Sequence, residues 1–266
     1  MTILDKIIAN KREEVGRAKA GVPVEALMEY PYYSRETLSL RQRLGDAGQP
    51  GIIAEFKRKS PSKGEIHPGA VVEKVVSDYG TYGAAGISVL TDTDFFGGSK
   101  DDLMQAREAN PFTPMLRKDF IVDEYQLHEA RAWGADVILL IAANLTPEET
   151  LSLSRKAREL NMEVLLEVHD REELDRSPLD FVDIIGVNNR NLKNFAENNV
   201  NASLNLIQYL PDTVVKISES CISSPETVQE LWEAGYQGFL MGENFMKTAD
   251  PGESLKAFRE EVKKRL

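Results

Sequence analysis

Residues 136–168 read DVILLIAANLTPEETLSLSRKARELNMEVLLEV. The flanking runs "DVILLIA" (136–142) and "EVLLEV" (163–168) are apolar almost throughout. Such runs suit strands covered on both faces, as in a parallel sheet, better than strands with one wet side. Between them, "TPEETLSLSRKARELN" opens on a threonine cap and closes at an asparagine, the pattern of a helix. Strand, helix and strand together make a βαβ unit.

The same alternation extends in both directions. Further strand candidates are "IIAEF" (52–56), "GISVLT" (86–91), "PMLRK" (114–118), "IIGVN" (184–188), "VVKIS" (214–218) and "GFLMG" (238–242). Amphipathic segments such as "AVVEKVVSDYGTYGA", "DEYQLHEARAWGA" and "SPETVQELWEAGY" lie between them. Eight βα units in one run predict an α/β fold, a closed (β/α)8 TIM barrel. An open doubly wound sheet is the alternative, and it lacks its usual mark, since no G-x-G-x-x-G follows the first strand. Before the first strand, Ile3, Ile7, Ile8 and Val15 recur at helical spacing behind Thr2, with Asp5 three positions on. We expect a single domain: residues 1–50 as an N-terminal helical extension and 51–266 as the barrel.

Composition narrows the function. The 266 residues carry 43 acidic and 32 basic side chains, a formal net charge of -11. That balance argues against a general nucleic-acid or membrane-surface binder, though not against a local basic pocket. No apolar run approaches the roughly 18 residues of a membrane span. With Cys221 as the single cysteine, no intrachain disulfide is possible. A reducing, cytoplasmic setting is expected. The sequence does not fix the oligomeric state, and a monomer is the working expectation.

Active sites of such barrels lie at the C-terminal strand ends. Seven of the eight ends here carry polar or charged groups: Glu55 and Lys57, "TDTDFFGGS", Lys118 and Asp119, Glu167 and His169, Asn188 and Arg190, Glu219 and Ser220, and "GEN". Taken singly, each is simply where solvent begins. As a set they form an acid–base constellation of two cations, Lys57 and Lys118, and two carboxylates, Glu55 and Glu167. Glu55 and Lys57, two residues apart, share one strand face. The last two ends, "SESCISSPE" and "GENFMK", fall where these barrels hold phosphate on backbone donors. Glu243 there would have to point away from a phosphate. His67, His128 and His169 make no metal set, because His169 with Glu167 offers only two ligands.

The motifs "IIAEFKRKSPSKG", "PMLRKDFIVDEYQ", "EVLLEVHD", "IGVNNRNL", "ISES" and "MGENFM" together resemble the indole-3-glycerol phosphate synthase family, from about residue 2 to the C-terminus. The resemblance implies a phosphorylated small-molecule substrate and a carboxy-lyase reaction of tryptophan biosynthesis, with no metal and no organic cofactor. It implies that Lys118 protonates a ketone oxygen and that Glu167 serves dehydration. Lys57 would bind the substrate carboxylate, Glu55 would hold a lysine, and Asn188 and Ser220 would be polar site residues. Phe95 and Phe120 would form the ring pocket. Ser60 would hold phosphate, with backbone donors near Ser220, Cys221, Gly242 and Glu243. The family usually has glycine where this chain has Cys221, so phosphate binding of the usual kind requires a negative φ there. Two other readings are an isomerase acting on phosphoribosyl anthranilate and a non-catalytic anion-binding barrel. The first wants a cysteine on strand 1, and this chain has none there.

Overall fold

All eight apolar runs form strands, and the strands close into a ring. The computed structural model describes residues 2–45, 48–190 and 199–266. In it β1 (Gly51–Phe56), β2 (Gly86–Leu90), β3 (Met115–Lys118), β4 (Val137–Ile141), β5 (Glu163–Val168), β6 (Ile184–Asn188), β7 (Val215–Glu219) and β8 (Gly238–Met241) pair in parallel, each with its neighbours in sequence. β1 also pairs with β8, which closes the barrel. The seventh strand starts and ends one residue later than its apolar run suggests. Helices alternate with the strands. The one between β4 and β5, Pro147–Glu159, carries the capping box expected of "TPEE", with Thr146 and Glu149 each satisfying a backbone N–H of the other.

Continuous burial of each strand produces two cores, because successive side chains point to opposite faces. Outward residues such as Ile52, Ala54, Val89, Ile138, Leu140, Val164 and Leu166 pack beneath the helices. Inward residues Ile53, Leu116, Val137, Leu139, Leu165, Ile184, Ile217 and Leu240 fill the barrel. The extension completes the inner core. Its first helix, α1 (Ile3–Gly21), is followed by α2 (Val24–Met28) and α3 (Leu40–Gly45). Leu40 and Leu44 of α3 belong to the inner cluster, so α3 plugs the N-terminal mouth. Glycines make the room: a Cβ on Gly86 would lie 2.7 Å from Leu40, and one on Gly238 3.0 Å from Leu44. Glu163, the first residue of β5, accepts the N–H groups of Leu40 and Arg41 and so caps α3 from the barrel side. No helix among the described residues is long and apolar enough to cross a membrane.

α1 lies at the opposite mouth and starts with its own capping box between Thr2 and Asp5. Its Lys11 is fully buried, with its ammonium 3.0 Å from Asp92, 3.0 Å from Asp119 and 2.9 Å from Glu14. Asp119 also meets Arg117 at 3.1 Å and accepts the Thr91 hydroxyl at 2.6 Å. Burial alone would raise Asp119, but Arg117 and Lys11 outweigh it and hold the carboxyl at about 2. Asp119 directly follows Lys118, so this network ties the extension to the strand end that carries a site lysine.

Candidate active site

The C-terminal strand ends surround a cavity of about 550 Å³. Alternate strands of such barrels supply side chains in layers of four. Here the layer at the cavity consists of Glu55 from β1, Lys118 from β3, Glu167 from β5 and Glu219 from β7. Lys118 Nζ donates to Glu167 Oε2 at 2.8 Å and to Glu219 Oε2 at 2.9 Å. Lys57 Nζ donates to Glu55 Oε1 at 2.6 Å, and the Ser88 hydroxyl donates to Glu55 Oε2 at 3.2 Å. So Glu55 pairs with Lys57 on its own strand end. Asn188, at the end of β6, donates to Glu167 Oε1 at 2.9 Å.

Burial works against the Lys118 ammonium, but Glu167, Glu219 and Glu55 outweigh it and keep the lysine charged far above neutral pH. Burial would also raise Glu167, yet Lys118 and His169 overcome it, so Glu167 stays ionised well below the usual carboxylate range. Glu219 goes the other way: burial lifts it, Lys118 offsets only part of the rise, and the charge of Glu167 adds to it. Two carboxylates on one ammonium are thereby driven apart, one firmly ionised and one ready to hold a proton, as acid–base assignments require. Glu219 was absent from the expected site. Its fit is close: a Cβ on Gly186 would come within 2.5 Å of its Oε1.

The apolar wall differs from expectation by one position. Phe96, not Phe95, lines the cavity with Phe120, their rings 5.9 Å apart. Phe95 and Phe96 belong to the turn after β2, where Asp92 accepts the N–H of each, and the turn presents Phe96 to the cavity. Leu90, Leu139 and Ile141 continue the wall, and Ile3, Leu4 and Ile7 of α1 add to it.

The loop after β1 turns back as a two-residue antiparallel ladder, Lys59–Ser60 against Gly64–Glu65, which holds Ser60 at the cavity. The cations of this loop separate. Arg58 pairs with Asp102 at 2.7 Å, Lys59 donates to the Asp94 carbonyl at 2.8 Å, and Lys63 lines the cavity. Opposite stand Ser220, Cys221, Gly242 and Glu243. Glu243 does not turn away from this edge: its carboxylate lies 3.4 Å from Lys63 and 3.7 Å from Arg190. Gly242 leaves space for Glu55, whose Oε1 would be 2.8 Å from a Cβ there.

Cys221 does not meet the condition of a negative φ. Ser220 and Cys221 have φ of 67° and 60°, two left-handed residues in succession. A side chain in that region costs about 1–2 kcal/mol, part of which glycine returns through its larger unfolded-state entropy. Cys221→Gly is therefore expected to raise unfolding stability by about 0.5–1 kcal/mol in urea melts and to lower KM for a phosphorylated substrate. Burial pushes the Cys221 thiol up, the wrong direction for a nucleophile. Among the described residues no three His, Cys, Asp or Glu side chains group as metal ligands.

Fold and mouth together define a class, a (β/α)8-barrel enzyme whose cavity is built for acid–base chemistry. The chain belongs to the indole-3-glycerol phosphate synthase family. That family's sequence model matches residues 4–258. The indole-3-glycerol phosphate synthase of Bacteroides thetaiotaomicron is 48% identical over 256 residues, covering 96% of this chain and 97% of the relative. That of Salinibacter ruber is 43% identical over 265 residues, covering 99% and 97%. More distant solved barrels share the fold alone. One is 3-hexulose-6-phosphate synthase from Salmonella typhimurium (TM-score 0.63, 15% identity, 81% of this chain and 100% of that one). Another is thiamine phosphate pyrophosphorylase from Pyrococcus furiosus (TM-score 0.61, 14% identity, 86% and 100%).

Proposed function

We propose that this mouth converts 1-(2-carboxyphenylamino)-1-deoxyribulose 5-phosphate into indole-3-glycerol phosphate, CO2 and water. The observation that carries the reading is the Lys118 ammonium held between Glu167 and Glu219, with Lys57 lining the same cavity beside Glu55. Ring closure needs a proton at the substrate ketone oxygen, and Lys118 supplies it. A lysine clamped by two carboxylates is a poor acid. Substrate arrival therefore has to displace one of them, and Glu219, the carboxyl that burial has lifted, is the one to yield. Once the ketone oxygen replaces a carboxylate, the ammonium loses part of its stabilisation and becomes a better donor.

Lys57 binds the substrate carboxylate until CO2 leaves, and Glu55 keeps that lysine aimed. The apolar wall of Phe96, Phe120 and Leu139 excludes water from this carboxylate, which favours its loss as neutral CO2. Glu167, ionised and held by Asn188, stabilises the iminium-like cation that ring closure creates and then takes the proton whose removal permits dehydration. Asn188 also offers its amide to the substrate hydroxyls. Phosphate sits across the cavity, between the Ser60 hydroxyl and backbone donors near Ser220, Cys221, Gly242 and Glu243. Lys63 and Arg190, now shared with Glu243, turn toward it. A cytoplasmic monomer suits the single thiol and the acidic surface.

Incubation with the two candidate substrates tests the reading. We expect indole fluorescence to grow with the carboxyphenylamino deoxyribulose phosphate and no consumption of phosphoribosyl anthranilate. Turnover of the second compound alone would favour the isomerase, and tight binding of the first without turnover a non-catalytic barrel.

A further inference from the structure

His169 lies two residues beyond Glu167 and lines the same cavity. One end of its ring is anchored. Nδ1 is 3.1 Å from Glu173 Oε2, and the same oxygen accepts the His169 backbone N–H at 2.8 Å. Glu173 is itself fixed, since its N–H is capped by Asp170 at the start of the helix Arg171–Arg176. The other end is open. Nε2 is buried, has no hydrogen-bond partner among the described residues, and lies 3.5 Å from Glu167 Oε1. A histidine that served only to fasten this helix to β5 would have no use for a buried nitrogen left unpaired beside a reacting carboxylate.

The charges around the ring are nearly all of one sign. Glu167 and Glu173 flank it, and Glu219 faces it from β7. Lys118 binds the other oxygen of Glu167. Arg176, on the same helix as Glu173, directs its guanidinium to the carbonyls of Ala142 and Leu145 instead. Asn188 completes the surroundings of Glu167 without charge.

We propose that His169 is a positioning residue, an imidazolium held by Glu173 that aims Glu167 and keeps it ionised, and that loss of its proton switches this support off. The proposal rests on the reading of Glu167 as a reacting carboxylate. As a cation, His169 donates at both nitrogens, one toward Glu173 and one toward Glu167 Oε1. When it is deprotonated, Glu173 retains the Nδ1–H, because a carboxylate can only accept. Nε2 then presents a lone pair to Oε1, and an attraction becomes a repulsion. Glu167, still ionised by Lys118, answers by swinging away from Nε2, and the base leaves its working position. Burial would lower the titration of His169, but the Glu173 hydrogen bond and the charges of Glu167, Glu173 and Glu219 outweigh it and lift it above 6.5. The support is therefore complete at lower pH and is lost as pH rises through that lifted value.

The test compares pH profiles of kcat for wild type, His169→Gln and Glu173→Gln. Wild type is expected to lose kcat on an alkaline limb above neutrality. His169→Gln keeps a donor that does not titrate. Its kcat should fall roughly tenfold, with KM little changed and this limb gone. Glu173→Gln should move the limb toward acid by about one pH unit or more. Histidine imidazole NMR gives a second readout that needs no turnover. The chain has three histidines, His67, His128 and His169, and the signal missing in His169→Gln should titrate above 6.5 and fall in Glu173→Gln. An alkaline limb unchanged in His169→Gln, or a His169 signal titrating below 6.5, overturns the proposal. Wild-type protein that does not turn over the anthranilate-derived substrate overturns the functional reading instead, and the NMR titration still decides whether Glu173 and Glu167 lift this histidine.

Discussion

Lys118→Met is expected to reduce kcat by about 10²–10⁴-fold, the usual range for removing a positioned proton donor, while circular dichroism still reports a folded barrel. The barrel survives because Glu219 is already disposed to hold a proton. With the ammonium gone, a neutral Glu219 can share that proton with Glu167, and the deletion leaves one buried charge rather than two. Glu167→Gln should lower kcat by a comparable factor, because the amide keeps the contact with Asn188 but cannot accept a proton. The double variant should be little worse than either single one, since groups that act as a unit lose their effect once. Initial rates followed by indole fluorescence would establish all three values. Near-normal turnover in Lys118→Met would remove this lysine from the chemistry, and fully multiplicative losses would mean that the two residues contribute independently to one transition state rather than as a unit.

Lys11→Met is expected to destabilise the protein by about 3–5 kcal/mol, the usual loss when one partner of a buried ion network is removed. The methionine fills most of the space, so the effect is electrostatic. Asp119 keeps Arg117 and Thr91, whereas among the described residues Asp92 Oδ2 meets only the Lys11 ammonium. Guanidinium unfolding would show the loss, and Lys11→Met with Asp92→Asn should recover part of it. Asp92 also accepts the N–H groups of Phe95 and Phe96, so the turn that presents Phe96 should loosen and KM should rise. A melt unchanged by Lys11→Met would mean that water reaches the network.

Where the sequence was legible, simple periodicities applied. Continuous apolar runs gave eight strands, and alternation along β1 put Glu55 and Lys57 on one face. Lys118 and Glu167 were legible because each ends such a run. Glu219 stands with Ser220 just past the seventh run (214–218), and nothing in the run itself joins that carboxylate to the acid–base set. Layering held the missing signal: with Glu55, Lys118 and Glu167 on the first, third and fifth strands, the fourth member must come from the seventh. The choice between Phe95 and Phe96 had no such signal, since both sit in a turn without a period. Nothing in the amphipathic pattern sets Lys11 apart from the other charges of its helix, and only tertiary packing reveals the two aspartates that enclose it. The Cys221 φ was equally hidden, because a left-handed turn leaves no mark when the usual glycine is absent.

The α3 plug has a consequence for how the chain comes to be folded. Leu40 and Leu44 are made long before Gly238, against which Leu44 packs. During synthesis α3 can meet the starts of β1 and β2 early, but its seat is complete only when β8 closes the ring. Contacts that span most of the chain also slow folding, because a long loop must close before they form. The plug is made before the barrel and fully seated only after it, so its apolar face is a hazard of the half-made chain.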